Sequence, residues 1–309
     1  MVEQYFTVLP AMKNPLHYIH KYPDRSKQIL GVSFEQWKSL VARAKIEAVQ
    51  LESEKVREKI RINQPGGGRR KILSPEEEIC LCIFYLRHLP TFEILGLHFE
   101  ISKTAANDIF NYWLKIVRKI LPCSLLEQIE RDENNEVIAR EILTESELIV
   151  DSWEQGRERP GDYQEQKEYY SGKKKQHTFK GQVIVMPSGT DVIDVEVGKK
   201  GKSSDIGMFR SQQKKFATNQ KFSGDKGYQG GENIKTPHKK PKNKELNESQ
   251  VEENKVLASN RIYVEHIIRL LKIFKIARER FRMKEDKYEE VILAVWGLVR
   301  LRIEALIMP

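Results

Sequence analysis

Between residues 33 and 48 apolar positions recur at helical spacing: Phe34, Trp37, Leu40, Val41, Ala44 and Ala48 share a face, and Ser33 with Gln36 forms a capping-box pattern. The pattern predicts an amphipathic helix that packs on something. The stretch RINQPGGGRRK then breaks it with a proline and three glycines, and predicts a boundary. A second helix is predicted in ILSPEEEICLCIFYLRHLP, where Ser74 caps, Pro75 presets the first turn and Glu77 favours the helix N-terminus. Beyond Pro90 the chain predicts a short helix from Thr91, a turn around Gly96, and a longer helix capped by Ser102 and stopped before Pro122. Two helices and a tight turn point to a helix-turn-helix, although such pairs also occur in plain bundles.

From residue 146 the period changes. ELIVDSW and HTFKGQVIVMPSGTDVIDVEVGKKG are short β-branched runs, two of them joined by a Pro-Ser-Gly turn, and they predict sheet. A helix-like stretch, DIGMFRSQQKKF, precedes FSGDKGYQG, and after the basic loop TPHKKPKNK a long helical region follows. Strands then helices around one mixed sheet predict an α/β catalytic domain preceded by an all-α region. The expected division is a helical segment over 1–62, a helix-turn-helix DNA-binding region over 67–145 and a catalytic domain over 146–309.

Composition narrows the class. The 309 residues are 39% hydrophobic, enough to bury a core, and 53 Lys and Arg against 44 Asp and Glu give a formal charge of +9, which favours a polyanionic partner. Three cysteines, Cys80, Cys82 and Cys123, form neither a disulfide framework nor a paired zinc spacing, and read as reduced thiols in a cytosolic protein. The apolar stretch VILAVWGLV is too short to span a bilayer, so no membrane partner is expected.

Three acids stand where this order of elements can gather them: Asp151 ending LIVD, Asp225 between two glycines in FSGDKGYQG, and Glu265 in NRIYVEHIIRLLKIFK. Carboxylate oxygens are natural ligands of hard Mg2+, and two such ions about 4 Å apart can activate water and stabilise a leaving oxygen at a phosphodiester. Each acid also has a plainer reading: Asp225 as a turn former, Asp151 as a strand-end cap, Glu265 as the ion-pair partner of Arg261. On a helix Arg261, Glu265 and Lys272 fall within an arc of roughly 40°. Ile262, Ile267, Leu270, Ile273 and Phe274 are expected in the core opposite them. Arg69 and Arg70 in the glycine-rich break suit phosphates. Lys103, Thr104 and Asn107, with Asn111 beyond, begin the second helix of the helix-turn-helix, where base edges and phosphates are met. Between the first two acids, Arg157, Arg159, Lys173, Lys174, Lys175 and Lys180 alternate with Tyr163, Tyr169, Tyr170 and Phe179, a stretch that can hold a sugar-phosphate backbone or can be a solvated lysine loop.

The run VDSWEQGRERP, YYSGKKKQHTFK, GKSSDIGMF, GDKGYQG, TPHKKP and NRIYVEHIIRLLK resembles the DDE transposases of bacterial insertion sequences and is similar to the Harbinger group, over nearly the full chain. The resemblance implies a helix-turn-helix part followed by a ribonuclease H-like domain with Asp151, Asp225 and Glu265 as catalytic residues and metal ligands. It implies two Mg2+ ions, with Mn2+ as a substitute, double-stranded DNA as partner, at least a dimer on DNA, and a cytoplasmic, nucleoid-associated protein. Arg261 and Lys272 match the third acid's motif. Ala258 stands where many relatives carry Tyr, which leaves a phosphate contact missing or supplied by Tyr263. Asp205, in SSDIGMF, is expected to act structurally or behind the ligands.

Overall fold

The computed structural model describes residues 14–58, 71–131, 141, 143–242 and 245–306. By contacts the chain forms two compact units, Met1–Ile116 with Met308–Pro309, and Val117–Ile307.

In the first unit, α1 (Pro15–Lys21), α2 (Ser26–Ile29) and α3 (Phe34–Glu58) precede α4 (Pro75–His88), α5 (Phe92–Phe99) and α6 (Lys103–Ile120), the last running across the join of the units. Both capping boxes form: Ser33 with Gln36, and Ser74 with Glu77. Trp37, Leu40, Val41 and Ala44 are buried, as the helical period requires. The Tyr85 ring stacks on Phe92 at 4.6 Å and meets Phe110 at 4.4 Å, so α4 carries the helix-turn-helix pair on an aromatic floor. Buried Trp113 donates Nε1–H to Glu78 Oε2 at 2.8 Å, which satisfies both polar groups.

The second unit is built on a mixed sheet of β1 (Glu147–Gly156), β2 (Tyr170–Ser171), β3 (Gln176–Val185), β4 (Val192–Lys200), β5 (Lys221–Ser223) and β6 (Ile234–Lys235). β1, β3 and β4 pair antiparallel through the turn at Gly189, whose φ of 68° suits glycine; β5 and β6 add in parallel on the other edge of β1. Around it lie α7 (Leu125–Arg131), α8 (Tyr163–Tyr169), α9 (Asp205–Gln213), α10 (Glu248–Lys272), α11 (Lys275–Arg278) and α12 (Tyr288–Arg302). This is the ribonuclease H-like α/β architecture.

Strand period divides the core in two. Leu148 and Val150 join Leu126, Ile184, Ile193, Phe209, Phe222 and Tyr228 on one face. On the other, Trp153 meets Trp296 at 5.2 Å, and Gln155 bonds the Ile276 carbonyl and the Tyr288 hydroxyl. Gly181 lies opposite Trp153 in the ladder, where a Cβ would approach the indole to 2.3 Å, so only glycine admits this ring. Fully buried Arg300 binds Asp191 with both ends of its fork and donates to the carbonyls of Pro122 and Ser124, clamping α12 to the β3–β4 turn and to the chain before α7. The three cysteines are buried and none forms a disulfide. Among the described residues no helix is long and apolar enough to cross a membrane.

At the start of α7, burial acts to raise the Glu127 carboxyl, but the Arg118 guanidinium at 2.6 Å and the Cys123 N–H at 2.6 Å outweigh it and hold the carboxyl down to about 2. A depressed carboxyl stabilises the fold above its unfolded value, near 4.5, and that contribution is lost as pH falls through about 2. Glu127→Gln should therefore cost up to about 3 kcal/mol at pH 7. In urea titrations the gap from wild type should shrink progressively below pH 4.5; a gap independent of pH would show that charge is not its cause.

Candidate active site and nucleic-acid interface

The site begins with a ladder that stops early. β5 pairs in parallel only with Glu147, Leu148 and Ile149, while β1 continues to Gly156 against β3. Asp151 is thus not at a strand end, as the sequence suggested, but midway along β1, opposite Val183; it is β5 that ends. Ile149 pairs with Ser223, so the same register carried on by two residues sets Asp225 beside Asp151. Gly224 permits this departure: a Cβ there would lie 2.8 Å from the Tyr228 ring and 3.0 Å from Val150.

Asp225 does serve its turn. Its Oδ1 accepts the Gly227 N–H at 2.7 Å and caps the 3-10 turn Lys226–Tyr228. Oδ2 receives no hydrogen bond from a described residue, which leaves it for another partner. The carboxylate is half-buried.

Glu265 comes from α10. The plainer reading of this acid is also present: Arg261 Nη2 lies 3.3 Å from Glu265 Oε1, and the same atom is 4.0 Å from Asp151 Oδ2. Asp151 is mostly buried, with 15% of its side chain exposed. Burial raises its carboxyl, the Ser152 N–H and Arg261 oppose this, and the charges of Asp225 and Glu265 add to it, so that Asp151 is pushed up to about 6. Asp151, Ser152, Glu265, Ile268, Arg269 and Lys272 line a cavity of about 330 Å3. Lys272, which lines the cavity, is lowered by burial and by the Lys174 ammonium, against the pull of Asp151.

Among the described residues no three His, Cys, Asp or Glu side chains are gathered closely enough to hold a metal ion as they stand. The donors nevertheless suit a hard cation: all are carboxylate oxygens, and a positive group, the Arg261 guanidinium, already lies between two of them. For a metal to replace it, Glu265 must exchange Arg261 for the ion.

The predicted helix face is partly corrected. Ile267 and Phe274 are buried, but Ile262 is 62% exposed, because it lies roughly opposite the buried stripe of Val264, Ile267, Ile268 and Leu271 around the helix. Tyr263, at 45%, is exposed on the flank of Glu265, next to His266 and Arg269. Arg269 was not singled out from the sequence, although its place one turn after Glu265 was a readable sign.

Of the basic stretch, the tip is presented, and Arg159, Tyr163 and Tyr170 are exposed as well. Lys173, Lys174 and Lys175 are exposed in the turn between β2 and β3, and no described carboxylate pairs with them. Arg157 instead stacks on Tyr169 at 3.9 Å and on Phe179 at 4.6 Å and bonds Glu285, Arg159 bonds Gln166, and Lys180 is buried. Tyr169 and Phe179 are core residues. In the first unit Lys103 and Thr104 are exposed at the start of α6, beside the capping Ser102. Asn107 is half-buried and takes the Asn111 amide on both its oxygens. The turn between the helices is at Glu100, with φ of 55°, and not at Gly96, which is buried within α5 where a Cβ would strike the Ile101 carbonyl at 2.6 Å. Arg69 and Arg70 lie outside the described residues.

Comparison with known proteins places both units. Residues 150–300 match the DDE superfamily endonuclease family, and residues 71–123 match the helix-turn-helix of DDE superfamily endonucleases. The chain is 32% identical over 225 residues to a probable transposase for insertion sequence element IS702 of Microchaete diplosiphon, covering 72% of this chain and 78% of that protein. A pre-cleavage Mos1 transpososome structure matches at 12% identity over 70% of this chain and 80% of that one, with a TM-score of 0.18, too low to imply a shared backbone. The extent of the IS702 relationship, together with endonuclease and helix-turn-helix matches in the matching order, settles descent: this chain belongs to the DDE transposases of insertion sequences.

Proposed function

We propose that this transposase binds the inverted-repeat ends of its element, hydrolyses a phosphodiester to free a 3′-hydroxyl, and uses that hydroxyl to attack target DNA. The observation that carries the reading is that Asp151 and Glu265 line one cavity with Lys272, while Asp225, in the turn after β5, stands near enough for its charge to act on Asp151. Asp151 and Asp225 would share divalent ions and Glu265 would complete the set. Two Mg2+, or Mn2+ in their place, would supply Lewis-acid stabilisation of the attacking and leaving oxygens. The chain's own part is to hold these oxygens and orient the strand: Lys272, Lys174 and their neighbours Lys173 and Lys175 contact phosphates, and Arg261 balances Glu265 until the site fills. Lys103, Thr104 and Asn107 read the repeat ends, Arg69 and Arg70 bind backbone, and the working form on DNA is at least a dimer in the cytoplasm, associated with the nucleoid.

Two other readings are outcomes of the tests. A DNA-binding derivative without catalysis would bind ends and cut nothing; a nuclease without strand transfer would cut but leave no joined product with a target plasmid.

Lys103→Ala with Asn107→Ala should weaken sequence-preferring binding in band shifts. Arg69→Ala with Arg70→Ala should weaken all DNA binding and reduce its log-log salt slope by about 1 per lost phosphate contact. If neither pair matters, these residues do not form the interface.

Asp225→Asn keeps size and turn-forming ability but removes the charge. With end-labelled repeat DNA and Mg2+, it should bind ends normally and lose cleavage and joining by several orders of magnitude. An active Asp225→Asn protein would contradict the assignment.

A further inference from the structure

Against the turn that carries Asp225 lies a buried cation with no part in the scheme above. Lys180, on β3, is 7% exposed. A buried charge is kept only where partners compensate its lost hydration. Its ammonium donates to the Ser203 carbonyl at 2.8 Å and lies 2.8 Å from Asp205 Oδ1. That oxygen is buried and lies off the direction of a hydrogen bond, so the contact to Asp205 is ionic, and the directed bond fixes the loop before α9.

Asp205 is the first residue of α9, directly after its cap Ser204. Its other oxygen approaches the Asp225 turn. A Cβ built on Gly227 would stand 3.1 Å from Asp205 Oδ2 and 2.9 Å from Asp225 Oδ1, so two carboxylates flank a single bare Cα. Like charges placed so close repel, and in a half-buried setting water screens them poorly. Lys180 supplies the missing balance. It neutralises Asp205 on the side away from Gly227, so the acid can brace the turn without driving Asp225 off it. The turn has further polar support, since the Tyr228 hydroxyl and the buried Gln182 amide lie 3.3 Å apart, within hydrogen-bond reach.

We propose that Lys180 and Asp205 are positioning residues: a buried ion pair that holds the Asp225 carboxylate in place for catalysis, with Asp205 bracing the turn and Lys180 cancelling its charge. The proposal rests on the catalytic reading of Asp225. It separates Asp205 from Asp151, Asp225 and Glu265, and it accounts for a lysine buried in β3.

The test is a double-mutant cycle on the full chain with Asp205→Asn, Lys180→Met and the double variant. Asp205→Asn keeps the side-chain size and strands an unbalanced ammonium; Lys180→Met strands an unbalanced carboxylate. Each single change should lower kcat for end cleavage by about 10- to 100-fold, the scale of a small misplacement, with KM for end DNA within about twofold. Each should also weaken Mn2+ binding followed by electron paramagnetic resonance without DNA present. Removing both charges should restore cleavage and Mn2+ affinity to within about threefold of wild type, because no uncompensated group remains.

Wild-type cleavage and Mn2+ binding in both single variants would overturn the proposal. So would a double variant no better than the worse single one, or losses that follow melting temperature rather than the charge balance. Asp225→Asn is run beside them. If it is active, the catalytic reading itself fails; if it is inactive while the pair variants behave as wild type, only the positioning role fails.

Discussion

A parallel ladder between Lys221–Ser223 and Glu147–Ile149 ends while β1 still runs on to Gly156 against its antiparallel partner. The open edge this leaves on β1 begins where Val150 and Asp151 stand, and the chain leaving β5 must turn there. Gly224 and Gly227 make the turn tight enough to keep Asp225 at that height; side chains at either would meet Tyr228, Val150 or the carboxylates themselves. The clamp of Arg300 and the Trp153–Trp296 contact fix the helical layer that carries Glu265. Sheet geometry therefore sets two of the acids, and helix packing the third.

Electrostatics decides what such a pocket wants. Asp151 has Arg261 within 4.0 Å and still rises to about 6, so burial together with two neighbouring acids outweighs one guanidinium. A single positive charge, shared with Glu265, does not balance three carboxylates. A small ion of higher charge would, and it would bring no bulk to exclude a phosphate. Lys272 and Arg269 line the pocket and add positive potential there, which suits a polyanion entering from solvent.

Much of this was legible in the sequence because the signals are local. Ser33, Ser74, Thr91 and Ser102 cap helices as their spacing indicated, and the Pro-Ser-Gly turn joins β3 to β4. The acids could be named because each sits in a distinctive neighbourhood of glycines, β-branched residues or cations. What was misread depends on partners far along the chain. The sequence reading ends the strand at Asp151, yet alternate residues Trp153 and Gln155 are buried against a layer more than a hundred positions away. Arg157 and Lys180 looked like phosphate ligands, but Glu285 and Asp205 claim them. Ile262 is apolar but lies on the helix face away from Val264, Ile267, Ile268 and Leu271, and is exposed there. Gly96 has the look of a turn former, but its use is close packing on Ile101.

The central claim is that Asp151, Asp225 and Glu265 hold a divalent ion together. Replacing Mg2+ by Fe2+ and adding ascorbate with peroxide generates short-lived oxidants at the bound ion, which cut the protein backbone nearby. The account predicts three sets of fragments, ending close to residues 151, 225 and 265, suppressed by excess Mg2+. Cuts confined to other regions, or an unaltered pattern when all three acids are neutralised, would contradict it.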